Sequence, residues 1–271
     1  DKYKDYKNKY QRDALGHLIM GMIYESKNDY NNAFIAYRNA YEIYNNDYKK
    51  NFSIDVPEQL KKDLLRTSYI CGFYDYLRSY ENIFSMKYDH FVGNNEGEII
   101  LFFDNGLSPI KSEWYINFVK TNSRDGWVTF VNDELGMSFP IYIGDKSQNE
   151  KQGFENLRIV RICFPKYLER KPLTNEIYIE TNEISKKAEI CENINDIAFK
   201  TLSDRMFREI AQSFVRFATK KALMLSVNEK DKTAGAALDI INAMTEKCDT
   251  RNWQTLPHSI YYTRINLPIG E

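Results

Sequence analysis

The sequence predicts an α+β protein: a helical repeat-like unit, a mainly antiparallel sheet, and a helical hairpin that returns to a last strand. Three observations carry this. Residues 14–47 hold apolar and small residues at helical spacing. The stretch from about 97 to 192 breaks into short β-branched and aromatic runs. From Ile194 the helical period resumes, and "SIYYTRINLP" at 259–268 reads as a strand again. The expected division is a helical region over 1–92 and an α+β domain over 93–271. Within the latter, the sheet is expected over 97–192, helices over 194–248 and the final strand over 259–268.

In the first region one stripe carries Leu15, Leu18 and Met22, with Met20 and Tyr24 as a second pair. Another stripe carries Ala33, Tyr37, Ala40, Tyr41 and Tyr44, and "KNDY" supplies a polar turn between them. Gly21, Tyr24, Ala33, Tyr37 and Ala40 fall at the small and aromatic positions of a tetratricopeptide repeat, which this segment resembles. Small residues there let two helices approach, and aromatics fill the gaps. His17 stands at the usual Trp position and Asn45 at the closing Pro. A looser second unit runs from Pro57 to Phe84, with Asp55 as expected N-cap and Pro57 in the first turn.

In the middle, "GEIILFFDNGLSPIKSEWYINFV" reads as two strands joined by a hairpin turn at Asn105–Gly106 and Pro109. "SFPIYIG", "LRIVRICFP", "NEIYIET" and "KKAEICE" are further strands, and such runs suit a sheet packed on both faces or a sandwich. "GDKSQNEKQG" (144–153) reads as a polar loop. One or two helices follow from Ile194. A small-residue helix with Ala236, Ala237, Ile240, Ile241 and Met244 is expected to pack on its predecessor.

The composition is that of a folded protein, with 43% hydrophobic and 28% charged residues. A formal net charge of −1 creates no field that would favour nucleic acid, so none is expected as a partner. No apolar run reaches the length of a membrane span, and the opening "DKYKDYKNKYQRD" has no signal-like apolar core and no starting Met, which reads as a trimmed or mature form. Cys71, Cys163, Cys191 and Cys248 share no metal-ligand or framework spacing and read as small buried hydrophobes, with a single bridge left open for an exported protein.

The layout as a whole resembles a family of bacterial cell-envelope lipoproteins with a tetratricopeptide-like N-terminal region. The pieces that carry the resemblance are "GLSPIK" at 106–111, "FPKY", "NDIAFKTLSDRMFREI", and "DTRNW" at 249–253 with Leu256–Pro257. The resemblance implies the periplasmic side of the envelope and an N-terminal lipid anchor on a Cys that this chain lacks; some members of that family are encoded beside lipoproteins that activate peptidoglycan synthases. It implies no catalytic residue.

Function is therefore expected to be non-catalytic, that of an adaptor or assembly factor with a protein partner and no cofactor or metal. Tyr24, Tyr37, Tyr41 and Tyr44 are the candidate partner-binding residues of the repeat, set against the plainer reading that they are core. Arg251 and Trp253 are the candidates of the closing stretch, because Arg and Trp favour binding hot spots. The plainer reading is a structural lock, with Asp249 paired to Arg251 or Arg205, Arg251 over the Trp253 ring, and Pro257 ending the connection. Gly21, Ala33, Ala40, Gly106, Pro109, Asp249 and Pro257 are expected to be structural. Two other readings stand beside these: a regulator of peptidoglycan synthesis, and a hydrolase of envelope polymers using Asp104 and Glu113, brought together with Lys111 in the hairpin. His17, His90 and His258 are isolated from further ligands in sequence, and no nucleophile elbow or phosphate loop is present.

Overall fold

The computed structural model describes residues 12–89, 96–181, 184–227 and 247–268. The fold is α+β, with helices and antiparallel sheets in one chain. Its contacts divide it into two units, though not at residue 92. The first comprises 1–108, 169–200 and 254–271, and the second 109–168 and 201–253.

The first unit opens with α1 (Ala14–Ser26) and α2 (Tyr30–Ile43). Asp13 caps α1 by accepting from the Gly16 amide at 2.9 Å, and Asp29 caps α2 by accepting from Asn32. The expected small-to-aromatic contact is made: a Cβ on Gly21 would lie 2.3 Å from the Tyr37 ring. Ala33 and Ala40 are fully buried in the same interface. Instead of stopping near Asn45, the second helix runs on through a π-helical turn (Tyr44–Tyr48) into α3 (Lys49–Phe52). A ladder of rings holds the extension, Tyr44 on Tyr48 at 5.2 Å and Tyr48 on Phe52 at 5.3 Å, both edge-on.

Next come α4 (Glu58–Ile70) and α5 (Tyr74–Phe84). Asp55 does not cap α4; it pairs with Lys49 at 2.9 Å. The cap comes from far along the chain, where the Glu189 carboxylate accepts from the Glu58 and Gln59 amides at 2.9 and 3.1 Å.

The same unit contains a three-stranded antiparallel sheet in the order β1 (Glu96–Asn105), β9 (Ser259–Pro268), β8 (Glu189–Asn193). Two short strands, β6 (Tyr178–Glu180) and β7 (Ser185–Lys187), form a separate pair. The last strand thus returns, as expected, to strands of the middle region, in register Ile99↔Ile265 with β1, but that region is divided among separate sheets instead of forming one. Cys191 and Tyr262 join the helical core, which is why the helices and this sheet form one unit across the expected boundary.

The second unit is a four-stranded antiparallel sheet in the order β4 (Met137–Tyr142), β3 (Trp127–Asn132), β2 (Ile110–Arg124), β5 (Ile159–Leu168). Among the described residues a helix covers one face of it, where both faces covered or a sandwich were expected. Val160, Ile162 and Phe164 are buried while Ile159 and Arg161 are exposed. The long α7 (Ile194–Val227), unbroken at Ser203, supplies the cover with Ile210, Phe214, Ala218 and Ala222. The Phe214 ring meets Phe118, Phe130 and Phe139 at 5.0, 5.4 and 4.8 Å. The segment read as a polar loop contains α6 (Gln148–Asn156), started by a capping box between Ser147 and Glu150. The expected helix around Ala236 to Met244, and His90, lie outside the described residues.

Candidate functional site

The chemically richest place in the first unit is a buried charge network. Arg264, in the middle of β9, donates through Nη1 to Glu25 at 2.9 Å and to Asp63 at 3.0 Å. Its other guanidinium edge forms a fork with the Glu98 carboxylate of β1. Arg66 bonds the same two helical carboxylates, Glu25 at 3.0 Å and Asp63 at 3.2 Å. The Tyr37 hydroxyl donates to Glu25 at 2.6 Å and the Tyr262 hydroxyl to Asp63 at 3.0 Å. Beside this network opens a cavity of about 600 Å³, with Lys62, Arg66, Tyr88, Glu98, Lys186 and Asn266 among its walls.

The electrostatics of the network run against acid–base catalysis. Burial opposes ionisation of Glu25, but the Arg66 hydrogen bond and the Arg66 and Arg264 charges outweigh it and hold the carboxyl below its ordinary range. Burial, with the Asp63 and Glu25 charges, keeps the Tyr37 hydroxyl protonated far above its ordinary range. Tyr262 is held protonated by burial and by Asp63. Burial opposes the charge on both arginines, yet their carboxylate partners leave them more firmly charged. Each of these groups moves away from neutrality, whereas a general acid or base must titrate near the working pH. The network fixes charges in place.

One buried carboxyl behaves differently. Glu192 of β8 accepts from the Tyr48 hydroxyl at 3.1 Å and has no guanidinium beside it among the described residues. Burial first, then the Asp13 charge, push it up to about 7.

The expected binding tyrosines divide. Tyr37 and Tyr44 are fully buried, Tyr37 on Glu25 and Tyr44 donating to the Cys191 carbonyl at 2.7 Å, so neither lines an open groove. Tyr24 and Tyr41 are half-buried, and Tyr41 packs on Tyr80 and Phe84. The aromatics of α1 and α2 are spent on the core of the first unit.

The closing stretch makes the expected Asp249–Arg251 pair and adds bonds from residues the sequence did not single out. Asp249 pairs with Arg251 at 2.8 Å, and this pair is exposed. Trp253 is 70% exposed. Asn252 does the fastening in the second unit: its Nδ2 donates to the Pro109 carbonyl at 2.7 Å and its Oδ1 accepts from the Lys111 amide at 3.3 Å. In the first unit Arg170 donates to the Ser108 and Gln254 carbonyls. There the Ser108 amide donates to Leu256 and the His258 amide to Asn105, just past the half-buried Pro257. Gly106 turns the chain at φ 64° against Pro172 and His258. These bonds replace the expected hairpin. β1 pairs with β9 and β2 with β3 and β5, so Asp104 and Glu113 lie on strands of different sheets and no hairpin joins them.

β1 itself is the feature that sequence reading passed over. Among the described residues it has no strand on its second edge. It is ten residues long and carries Ile99, Ile100, Phe102 and Phe103 at 43%, 38%, 37% and 38% exposure. The run "IILFF" was a visible signal, read only as a strand and not as an edge. Comparison with family models, with curated proteins and with solved structures returns no match.

Proposed function

We propose that this is a non-catalytic protein of the bacterial cell envelope, an adaptor that takes an extended segment of a protein partner onto the free edge of β1. The observation that carries the reading is that edge: long, apolar on both faces and unpaired among the described residues. An unpaired row of amides and carbonyls is a template for another strand, and folded proteins ordinarily blunt it with charge, proline or a bulge. Over Ile99–Phe103 this strand has none of these, and its register with β9 is unbroken. A partner strand added there would gain main-chain hydrogen bonds, with Ile99 and Phe103 facing one side and Ile100 and Phe102 the other. The envelope setting rests on the family resemblance. In that setting an activator of peptidoglycan synthesis is one partner of suitable kind.

A photo-crosslinking residue placed at Ile99 or at Phe103, with one at exposed Ile159 of β5 as control, tests this in native envelope extract. A discrete adduct from the β1 positions, absent from Ile159 and lost on Ile100→Lys in a variant of unchanged melting temperature, is the expected result. Equal labelling from β5, or adducts unaffected by the lysine, would remove the proposal.

A further inference from the structure

Two of the four cysteines, 85 positions apart in the chain, meet in the second unit. The Sγ atoms of Cys163 and Cys248 and a carboxylate oxygen of Glu113 all lie within 4.8 Å of one another. Three separate segments deliver them: β2 brings Glu113, β5 brings Cys163, and the stretch entering the Asn252 lock brings Cys248.

The surroundings orient these groups. The Tyr115 hydroxyl donates to Glu113 Oε2 at 2.7 Å, which leaves Glu113 a second oxygen for a ligand. Tyr115 stands opposite Cys163 in the β2–β5 register, so Glu113, Tyr115 and Cys163 share one face of the sheet. The Arg161 guanidinium covers the Tyr115 ring at 4.3 Å. Outer contacts of this kind hold the ligands of metal sites in place. All three groups are half-buried, which leaves an approach from solvent. A cavity of about 560 Å³ opens onto both cysteines.

We propose that Glu113, Cys163 and Cys248 form a zinc-binding site with a fourth position open to water. Two thiolate sulfurs and one carboxylate oxygen are a donor set that zinc accepts, and three protein ligands with one open position is its catalytic-type arrangement. Zinc–sulfur bonds of about 2.3 Å and zinc–oxygen bonds of about 2.0 Å put tetrahedral ligands roughly 3.5–4 Å apart. The three atoms need about an ångström of convergence at most to reach this. Binding releases both thiol protons to solvent, and the zinc ion takes their place between the two sulfurs and the carboxylate. The complex then carries one net negative charge, which Lys111, Arg216, Lys220 and Lys247 around the cavity offset against Glu209 and Asp249 on the same wall.

Cobalt(II) is the probe, titrated into the full chain kept reduced by a phosphine. One equivalent should develop tetrahedral visible bands and a near-ultraviolet sulfur-to-cobalt band, both bleached by one equivalent of zinc. Cys248→Ser and Cys163→Ser should each weaken binding tenfold or more, Glu113→Gln less, and Cys71→Ser not at all. Cys248 lies outside the sheet, so its variant decides the matter if Cys163→Ser does not fold. A featureless titration, or bands that survive Cys248→Ser, would overturn the site. So would a Cys163–Cys248 disulfide that persists in the phosphine.

Discussion

Replacing Glu192 with glutamine should stabilise the protein, and most where the native carboxyl is forced to ionise. Glu192 is buried in β8 against Tyr48, and its carboxyl is pushed from an ordinary 4.5 up to about 7 by burial and by Asp13. A carboxyl with a raised folded-state pKa holds its proton in the folded chain after the unfolded chain has released it. Its stabilising contribution is therefore full below about pH 4.5 and is lost as pH rises towards 7. At about 1.4 kcal/mol per pH unit, the ionised side chain costs the folded state on the order of 3 kcal/mol above pH 7. Glutamine keeps an acceptor for the Tyr48 hydroxyl and carries no charge at any pH. Urea unfolding of both proteins should give a small gain for Glu192→Gln at pH 5 and a gain about 2–3 kcal/mol larger at pH 8. A gain independent of pH, or a loss at pH 8, would refute the reasoning and show that the ionised carboxylate is satisfied where it lies.

Two further predictions concern the network and the lock. Arg264→Met leaves Glu25 and Asp63 facing one guanidinium instead of two and should cost about 3–5 kcal/mol in urea unfolding, the range for breaking a buried pair; a loss under about 1 kcal/mol would mean that water already reaches these carboxylates. Asn252→Ala removes two hydrogen bonds and should lower stability by about 1–2 kcal/mol in urea unfolding; a loss under about 0.3 kcal/mol would show that water replaces both bonds.

What the sequence disclosed was set by how local each cause is. The α1–α2 hairpin was legible because Gly21, Ala33, Tyr37 and Ala40 act within one repeat and leave a periodic trace. The α6 helix was legible in principle: Ser147 and Glu150 are a capping box, and the polar composition around them hid it. The hairpin expected at Asn105–Gly106 failed for a different reason. Turn residues bend the chain, but they do not choose the partner strand, and β9 supplies the longer register. The charge network left almost no trace, since Arg264 lies 201 positions from Asp63 and 239 from Glu25. Its faint signal was a single charged residue inside a mostly apolar strand, and Asp63 beside Leu60 and Leu64 on the buried face of α4. The Cys163–Cys248 encounter had no local signal at all.

The position of Arg264 also bears on why the last strand settles in one register. β9 is apolar along most of its length and buried on both faces, so hydrophobic burial alone would discriminate weakly between neighbouring alignments. A slip of one residue would turn the guanidinium to the other face. Thr263 or Ile265 would then stand before Glu25 and Asp63, leaving buried carboxylates with one arginine and an arginine with none. That outcome costs several kcal/mol, whereas the native alignment pairs every one of these groups. The network adds little net stability over apolar side chains of the same size, but it makes the wrong registers expensive. Because β1 aligns on β9 through an unbroken register, the same charges fix which edge atoms of Ile99 to Phe103 face outward. A partner strand would therefore meet a template whose alignment is set from inside the helical core.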